Sequence, residues 1–248
     1  MHYESHPSFC PPDNNHAKIW RYMKLKNFEN MLKDESLYFS KATNFLDPYE
    51  GTLPESNNSM RKTVYSADQF TSVDQYNSFI SNMPKIMKDV SKSEKEVYIV
   101  NCWHINEFES ASMWKIYSDL NGGIAIQSTY EKLRKSFRNS SEIIGVGKIR
   151  YLDFKKDWGD EAFTLDMFLI KRKSFECDNE LRAISYLKDE ELHLNGKHIK
   201  VDLDFLIEKI YIPPLAESNF DESIKNMIKD NKPSLMNRIK KSDLYSLV

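Results

Sequence analysis

The sequence predicts an α+β domain in which helices interrupt one irregular mixed sheet, and three observations carry that prediction. Short β-branched and aromatic runs alternate with amphipathic helical runs along the chain, with no fixed-period repeat and no long low-complexity linker. Apolar residues make up 40% of the 248 residues against 29% charged, which suffices for a buried core and excludes overall disorder. Glycine is scarce, 7 residues in the chain, where ordinary usage is about 7%. Dinucleotide folds and phosphate loops need glycine where backbone approaches a phosphate or takes positive φ, so this scarcity argues against both. The glycine clusters Gly122-Gly123 and Gly145/Gly147 fit neither template.

Residues 1–17 are mostly polar, contain Pro11-Pro12, and read as an irregular arm preceding a single domain over 18–248. IWRYMKL then reads as a strand and SLYFS as another. Between them KNFENMLKDE reads as a three-turn helix, because Phe28, Met31 and Leu32 fall at i, i+3 and i+4 on one face. A polar loop from Lys41 to about Ser59 contains Asp47-Pro48-Tyr49-Glu50-Gly51, where Pro and Gly favour a fixed turn. Residues 66–95 place Phe79, Ile80, Met83, Ile86 and Met87 on one helical face, with Pro84 set to kink or divide a helical insertion. VYIVNCW is a buried strand by composition, SASMWKIYSD a helix capped by Ser110 or Ser112, GIAIQS a strand, and TYEKLRKSFR a helix. Further on, 142–153 reads as one long strand, 161–175 as a helix and 179–187 as a strand. HIKVDL and EKIYIPPLA add two strands, and DESIKNMIKD is a helix opened by acidic residues.

The formal charge, 35 cationic against 37 acidic side chains, is −2, which excludes nucleic-acid binding driven by a strong overall positive field. Cys10, Cys102 and Cys177 are sparse and odd in number, as expected of reduced thiols in a cytoplasmic protein. No run approaches the roughly 18 uncharged apolar residues of a membrane helix, and the first residues lack the apolar stretch of a signal peptide. A soluble protein with no membrane partner is expected.

The strongest chemical cluster is Asp178, Glu180 and Arg182. On a strand beginning near Asn179 the three share one face. Two carboxylates beside a guanidinium suit hydrogen bonding to a sugar hydroxyl and stabilisation of a cationic transition state at a glycosidic carbon; the alternative is an edge strand whose charges face water. Arg21 and Tyr22 lie on the first strand and Ser40 ends the second. Alternation lets only one of Arg21 and Tyr22 face a cleft, and a buried Arg21 needs an anionic partner or a ligand phosphate. Asp47 and Glu50 sit in a loop of the kind that carries ligand residues, although Asp before Pro also simply initiates turns. Cys102 and His104 share a strand face, but no second Cys/His pair stands at zinc spacing, so no metal is expected. Trp114 and Tyr117, three apart on a helix, pack as core aromatics or stack a nicotinamide or nucleobase.

Taken in order, IWRYMKL, LYFSKATNFLDPYEG, VNCWH, MWKIYSDLNGGIAI, KIRYLDF, KSFECDNELRAI and EKIYIPP resemble the bacterial family called domain of unknown function 2971, over about Ile19 to Pro214. Leu46 stands where that family usually has Asn, and Asp178 where it usually has Glu. More distantly, a first strand with Arg, a short helix, a strand ending in Ser and a late strand opened by acid-x-Glu resemble the split-sheet ADP-ribosyltransferase layout. That resemblance implies an enzyme cleaving the nicotinamide–ribose bond of NAD and passing ADP-ribose to a protein, a nucleic acid or water, possible in a toxin or defence setting. It implies that Arg21 holds NAD, Ser40 supports its ribose, Glu180 stabilises the oxocarbenium ion and Asp178 orients the acceptor. Two other classes stay open: a nucleic-acid-acting or -binding defence protein using KLRKSFR (132–138) and MNRIKKSDLY (236–245), and a non-catalytic interaction module.

Overall fold

The computed structural model describes residues 6–118 and 120–246; residues 1–5 of the expected arm and the last two of the expected domain lie outside it. Residues 6–17 form turns without helix or strand. The arm is nevertheless tied down. Lys148 donates its backbone N–H to the Cys10 carbonyl at 2.8 Å, and Phe9 lies on Gly145 so closely that a Cβ there would stand 2.0 Å from its ring. The Gly145/Gly147 pair therefore serves packing of the arm, not a phosphate.

β1 (Lys18–Lys24), α1 (Leu25–Asp34) and β2 (Ser36–Lys41) follow the sequence reading. Phe28, Met31 and Leu32 are the buried face of α1, which ends where Glu35 turns left-handed at φ 40°. The expected polar loop ends early, because α2 (Ser56–Val64) begins inside it. α3 (Val73–Val97) then runs through Pro84 as one helix of 25 residues. Ser91 is its buried residue, so it lies on the edge of the domain and the lost hydrogen bond at Pro84 stays open to water.

β3 (Tyr98–Ile105), α4 (Ala111–Met113), β4 (Gly123–Thr129) and α5 (Tyr130–Ser136) come next. After α4 the chain widens into a π turn over Trp114–Ser118. The expected single strand over 142–153 is instead two, β5 (Gly145–Lys148) and β6 (Arg150–Leu152), which belong to different sheets. The expected helix over 161–175 is also overturned. That segment contains a 3₁₀ turn, Thr164–Phe168, then β7 (Ile170–Arg172), then a second 3₁₀ turn, Lys173–Asp178. Leu165, Met167, Phe168, Leu169 and Ile170 are buried as β7 pairs with β6, while Phe163 stays exposed, and this tertiary burial outweighs the helical spacing. β8 (Glu180–Tyr186), β9 (Gly196–Lys200), α6 (Leu203–Leu206), β10 (Lys209–Ile212), α7 (Ser218–Asn231) and β11 (Ile239–Lys241) complete the chain.

The main sheet runs β11-β10-β4-β1-β3-β2-β9, with β8 on the other edge of β3 and β5 beyond it. It is mixed: β10 and β11 pair parallel and the others antiparallel. β8 occupies one edge of β3 from Tyr98 to His104. Its opposite edge is shared. β2 pairs at Ile99 and Val100, while β1 pairs at His104 and Ile105. The sheet is therefore split along Asn101–Trp103, with β1 and β2 diverging from one strand.

Candidate active site

A split leaves backbone groups without ladder partners, and buried ones must be satisfied otherwise. Arg21 does this for β3, its Nη1 donating to the Cys102 carbonyl at 2.9 Å. Asn101 donates its side-chain amide to the Tyr38 carbonyl across the gap at 2.8 Å. By alternation Arg21 belongs with Ile19 and Met23 in the main core, whereas Glu180 pairs with His104, which pairs with Trp20, on the opposite face. The missing strand pairing lets the Arg21 side chain enter the gap, so Arg21 and Glu180 line one cavity of about 280 Å³. A second cavity, about 410 Å³, lies against α1 and is lined by Asn27, Asn30, Ser36 and His198. Arg21, Tyr22, Tyr38 and Tyr117 line both and form the waist between them.

The guanidinium of Arg21 is pulled down to about 10 by burial, which the neighbouring Cys102 opposes. It stacks loosely on Trp103, 6.0 Å from the ring centre, and among the described residues no carboxylate lies within ion-pair range of it. An arginine in that state is ready to receive an anion.

Facing it is a cluster of three carboxylates and two cations. Arg182 donates Nε to Glu180 Oε1 at 2.7 Å and Nη2 to Glu50 Oε1 at 2.9 Å. Lys171 Nζ lies 2.8 Å from Asp178 Oδ2, 3.1 Å from Glu180 Oε2 and 3.5 Å from Glu50 Oε1. Burial alone would raise Glu180, but the charge and hydrogen bonds of Arg182, with Lys171, hold it down to about 2. Burial works against the Lys171 ammonium too, and the charge of Glu180 with the Asp178 hydrogen bond overcomes it, so its pKa is raised. The cluster keeps one formal negative charge in excess. Glu180 is thus a permanent anion at neutral pH and cannot serve as a proton carrier there.

The cavity brings together Arg21, Tyr22, Ser40, Glu50, Tyr117, Asp178, Glu180 and Arg182. Tyr22 and Arg21 both line it, against the expectation from alternation, because the split opens the edge of β1. Glu180 and Arg182 share a face of β8 as expected. Asp178 precedes the strand, separated by the left-handed Asn179 at φ 36°, and reaches the cluster through Lys171. Asp47 does not line the cavity. It accepts the Tyr49 N–H at 3.1 Å and pairs with Arg172 at 2.8 Å, fixing the turn that delivers Glu50. Trp114 is also excluded: it is fully buried, packs edge-on against Tyr22 and donates its indole N–H to Glu109 at 3.0 Å. The π turn rotates Tyr117 away from the Trp114 face, so the two do not act as one stacking platform. Tyr117 is 49% exposed at the waist, its phenol pushed up to about 12 by burial and then by the charge of Asp178.

Sequence reasoning missed Lys171, Tyr151 and Tyr38. Lys171 sat in a run read as helix; its strand alternation with Leu169 was the available signal. Tyr151 accepts the Glu180 N–H at 2.8 Å, steadying the start of β8. Cys102, on the strand read as buried, lines the cavity with its thiol held protonated by burial. Among the described residues no His/Cys/Asp/Glu group could hold a metal ion, and no helix is long and apolar enough to cross a membrane. The two basic runs are largely engaged within the fold: Lys132 with Glu208, Lys135 with Glu131, Lys241 with Asp221, and Arg238 with the Asp204 carbonyl. No family model matches the chain, and no curated protein matches it.

Proposed function

We infer that the cleft binds NAD and cleaves its nicotinamide–ribose bond, in the manner of an ADP-ribosyltransferase or NAD glycohydrolase. One observation carries this reading: Arg21, which has no carboxylate partner among the described residues, and a carboxylate cluster with excess negative charge line the same cavity. Arg21 receives the pyrophosphate at the waist, its fork suited to two phosphate oxygens. The cationic nicotinamide ribose enters the chamber beside Glu180. As the C–N bond breaks, its electron pair leaves with neutral nicotinamide and positive charge builds on the ribose. A buried carboxylate held in place by Arg182 and Lys171 stabilises that charge without reorganising. Tyr117 stacks the departing ring and Ser40 hydrogen-bonds the ribose. The scarcity of glycine is compatible with this reading, since side chains supply every contact.

The test is chromatographic. Purified protein incubated with NAD is expected to release nicotinamide, and Glu180→Gln to lose about 100-fold or more of that rate. Intact NAD after prolonged incubation, with and without protein or nucleic-acid acceptors, would remove the reading.

A further inference from the structure

Three carboxylates meet at the cavity, and they are not equivalent. Both oxygens of Glu180 are held by Arg182 and Lys171. Asp178 gives one oxygen to Lys171 and meets the Cys177 thiol with the other, at 3.9 Å. Glu50 places Oε1 on Arg182 and Lys171, while its Oε2 is buried and bonded to no protein group among the described residues. A buried carboxylate oxygen without a donor is costly and calls for an explanation. Glu50 lines the cavity, and its terminal torsion is soft enough to turn Oε2 toward it. Its turn is fixed from both sides: Gly51, at φ 64°, gives its carbonyl to Ser91, and Asp47 is clamped by Arg172. Glu50 and Glu180 bond the same Arg182 nitrogen, so they are neighbours.

We propose that Glu50 is the general base of the reaction and that its substrate is water, which makes the protein a hydrolase of NAD rather than a transferase. The assignment rests on the NAD-cleaving reading above. Water donates one hydrogen to Glu50 Oε2 while its oxygen forms a bond to the ribose C1 carbon. The C1–nitrogen bond breaks, nicotinamide leaves with the electron pair, and the proton passes from Glu50 to solvent. The products are nicotinamide and free ADP-ribose. Glu180 has both oxygens bonded, whereas Glu50 keeps Oε2 unbonded among the described residues, so Glu180 supplies charge and takes no proton. The nearly buried position of Glu50, 4% exposed, favours a small nucleophile over the side chain of a macromolecule.

The experiment compares wild type, Glu50→Gln, Glu50→Ala and Asp178→Asn with NAD, following nicotinamide and ADP-ribose separately and binding of ADP-ribose by calorimetry. Wild type is expected to yield the two products in equal amounts without any acceptor. Glu50→Gln, which keeps the Arg182 hydrogen bond, is expected to lose about 10²- to 10⁴-fold in kcat while binding ADP-ribose as wild type does. Azide, a nucleophile that needs no base, is expected to restore nicotinamide release in Glu50→Ala and to form ADP-ribosyl azide. A purely structural Glu50 would show no such rescue. Undiminished turnover in Glu50→Gln, a larger loss in Asp178→Asn, or release only with a macromolecular acceptor would overturn the assignment while leaving NAD cleavage standing. No nicotinamide from wild type under any condition would overturn both.

Discussion

Arg61 and Arg182 are equally hidden, each 1% exposed, yet their ion pairs are built in opposite ways. Arg61 grips Glu161 with two hydrogen bonds, 3.1 Å and 2.8 Å, and spends Nη1 on Asn58. One cation meets one anion, and the pair joins α2 to the segment around Gly159, which Asn57 also holds. Arg182 is shared between Glu180 and Glu50 in a group with an extra negative charge and an oxygen, Glu50 Oε2, that has no partner among the described residues, beside a cavity. A closed pair of matched charges ties chain segments together. An unbalanced group lining a cavity leaves charge that the fold itself does not neutralise.

The largest effect that separates the two is on stability. Arg61→Ala strands the Glu161 carboxylate, 2% exposed, and is expected to cost about 3–5 kcal/mol. Urea unfolding monitored by tryptophan fluorescence measures it, and the folded fraction should bind ADP-ribose with wild-type affinity. A loss of affinity at equal folded fraction would mean that the Arg61 pair belongs to the site after all.

Next comes a pH dependence. Glu180 has its folded pKa depressed from 4.5 to about 2, so its contribution is fully present above pH 4.5 and disappears as pH falls from 4.5 toward 2. The shift corresponds to roughly 3 kcal/mol. Other carboxylates titrate in that window too, so the quantity to measure is the difference between wild type and Glu180→Gln in urea unfolding at pH 5.5 and pH 3. The gap should narrow at the lower pH; a gap that stays constant would mean that Glu180 is not held as an anion by its two cations.

The contrast between the two groups also explains what could be read beforehand. Glu180 and Arg182 were visible as a pair because strand periodicity is local, and so were α1 and its flanking strands. Lys171 was hidden because β7 exists only through pairing with β6, a contact between distant parts of the chain. Asp47 and Trp114 carry the residue types of a binding site, but one clamps a turn and the other fills the core, and neighbours decide that. Arg21 is the sharpest case. Alternation alone assigns it to the core face, away from Glu180, and only the split in the sheet, invisible in any local window, brings it through to the cavity.

A smaller effect comes from exchanging charge for shape. Replacing the closed pair by Arg61→Met with Glu161→Leu removes both charges together and is expected to leave stability unchanged or to raise it, by up to about 1–4 kcal/mol. The same logic fails at the other group, where Arg182→Met with Glu180→Leu leaves Glu50, Asp178 and Lys171 unevenly matched and should destabilise the fold. Equal outcomes for the two double variants, measured by thermal unfolding, would erase the distinction drawn between them.

The smallest expected change in stability is at Arg21, and it is the most telling. Its guanidinium contributes one hydrogen bond to the Cys102 carbonyl, and losing it leaves that acceptor short by about 1 kcal/mol. Arg21→Ala also removes a desolvated cation that no carboxylate balances among the described residues, which offsets part of the cost. The net change in unfolding free energy should therefore stay within about 1 kcal/mol, while affinity for ADP-ribose or pyrophosphate falls at least tenfold, roughly 1.4 kcal/mol of binding. Arg61→Ala should give the reverse, a large loss of stability with binding intact. If Arg21→Ala instead unfolds the protein and leaves anion binding unchanged, then Arg21 is a bolt across the split sheet and the cavity must find its anion elsewhere.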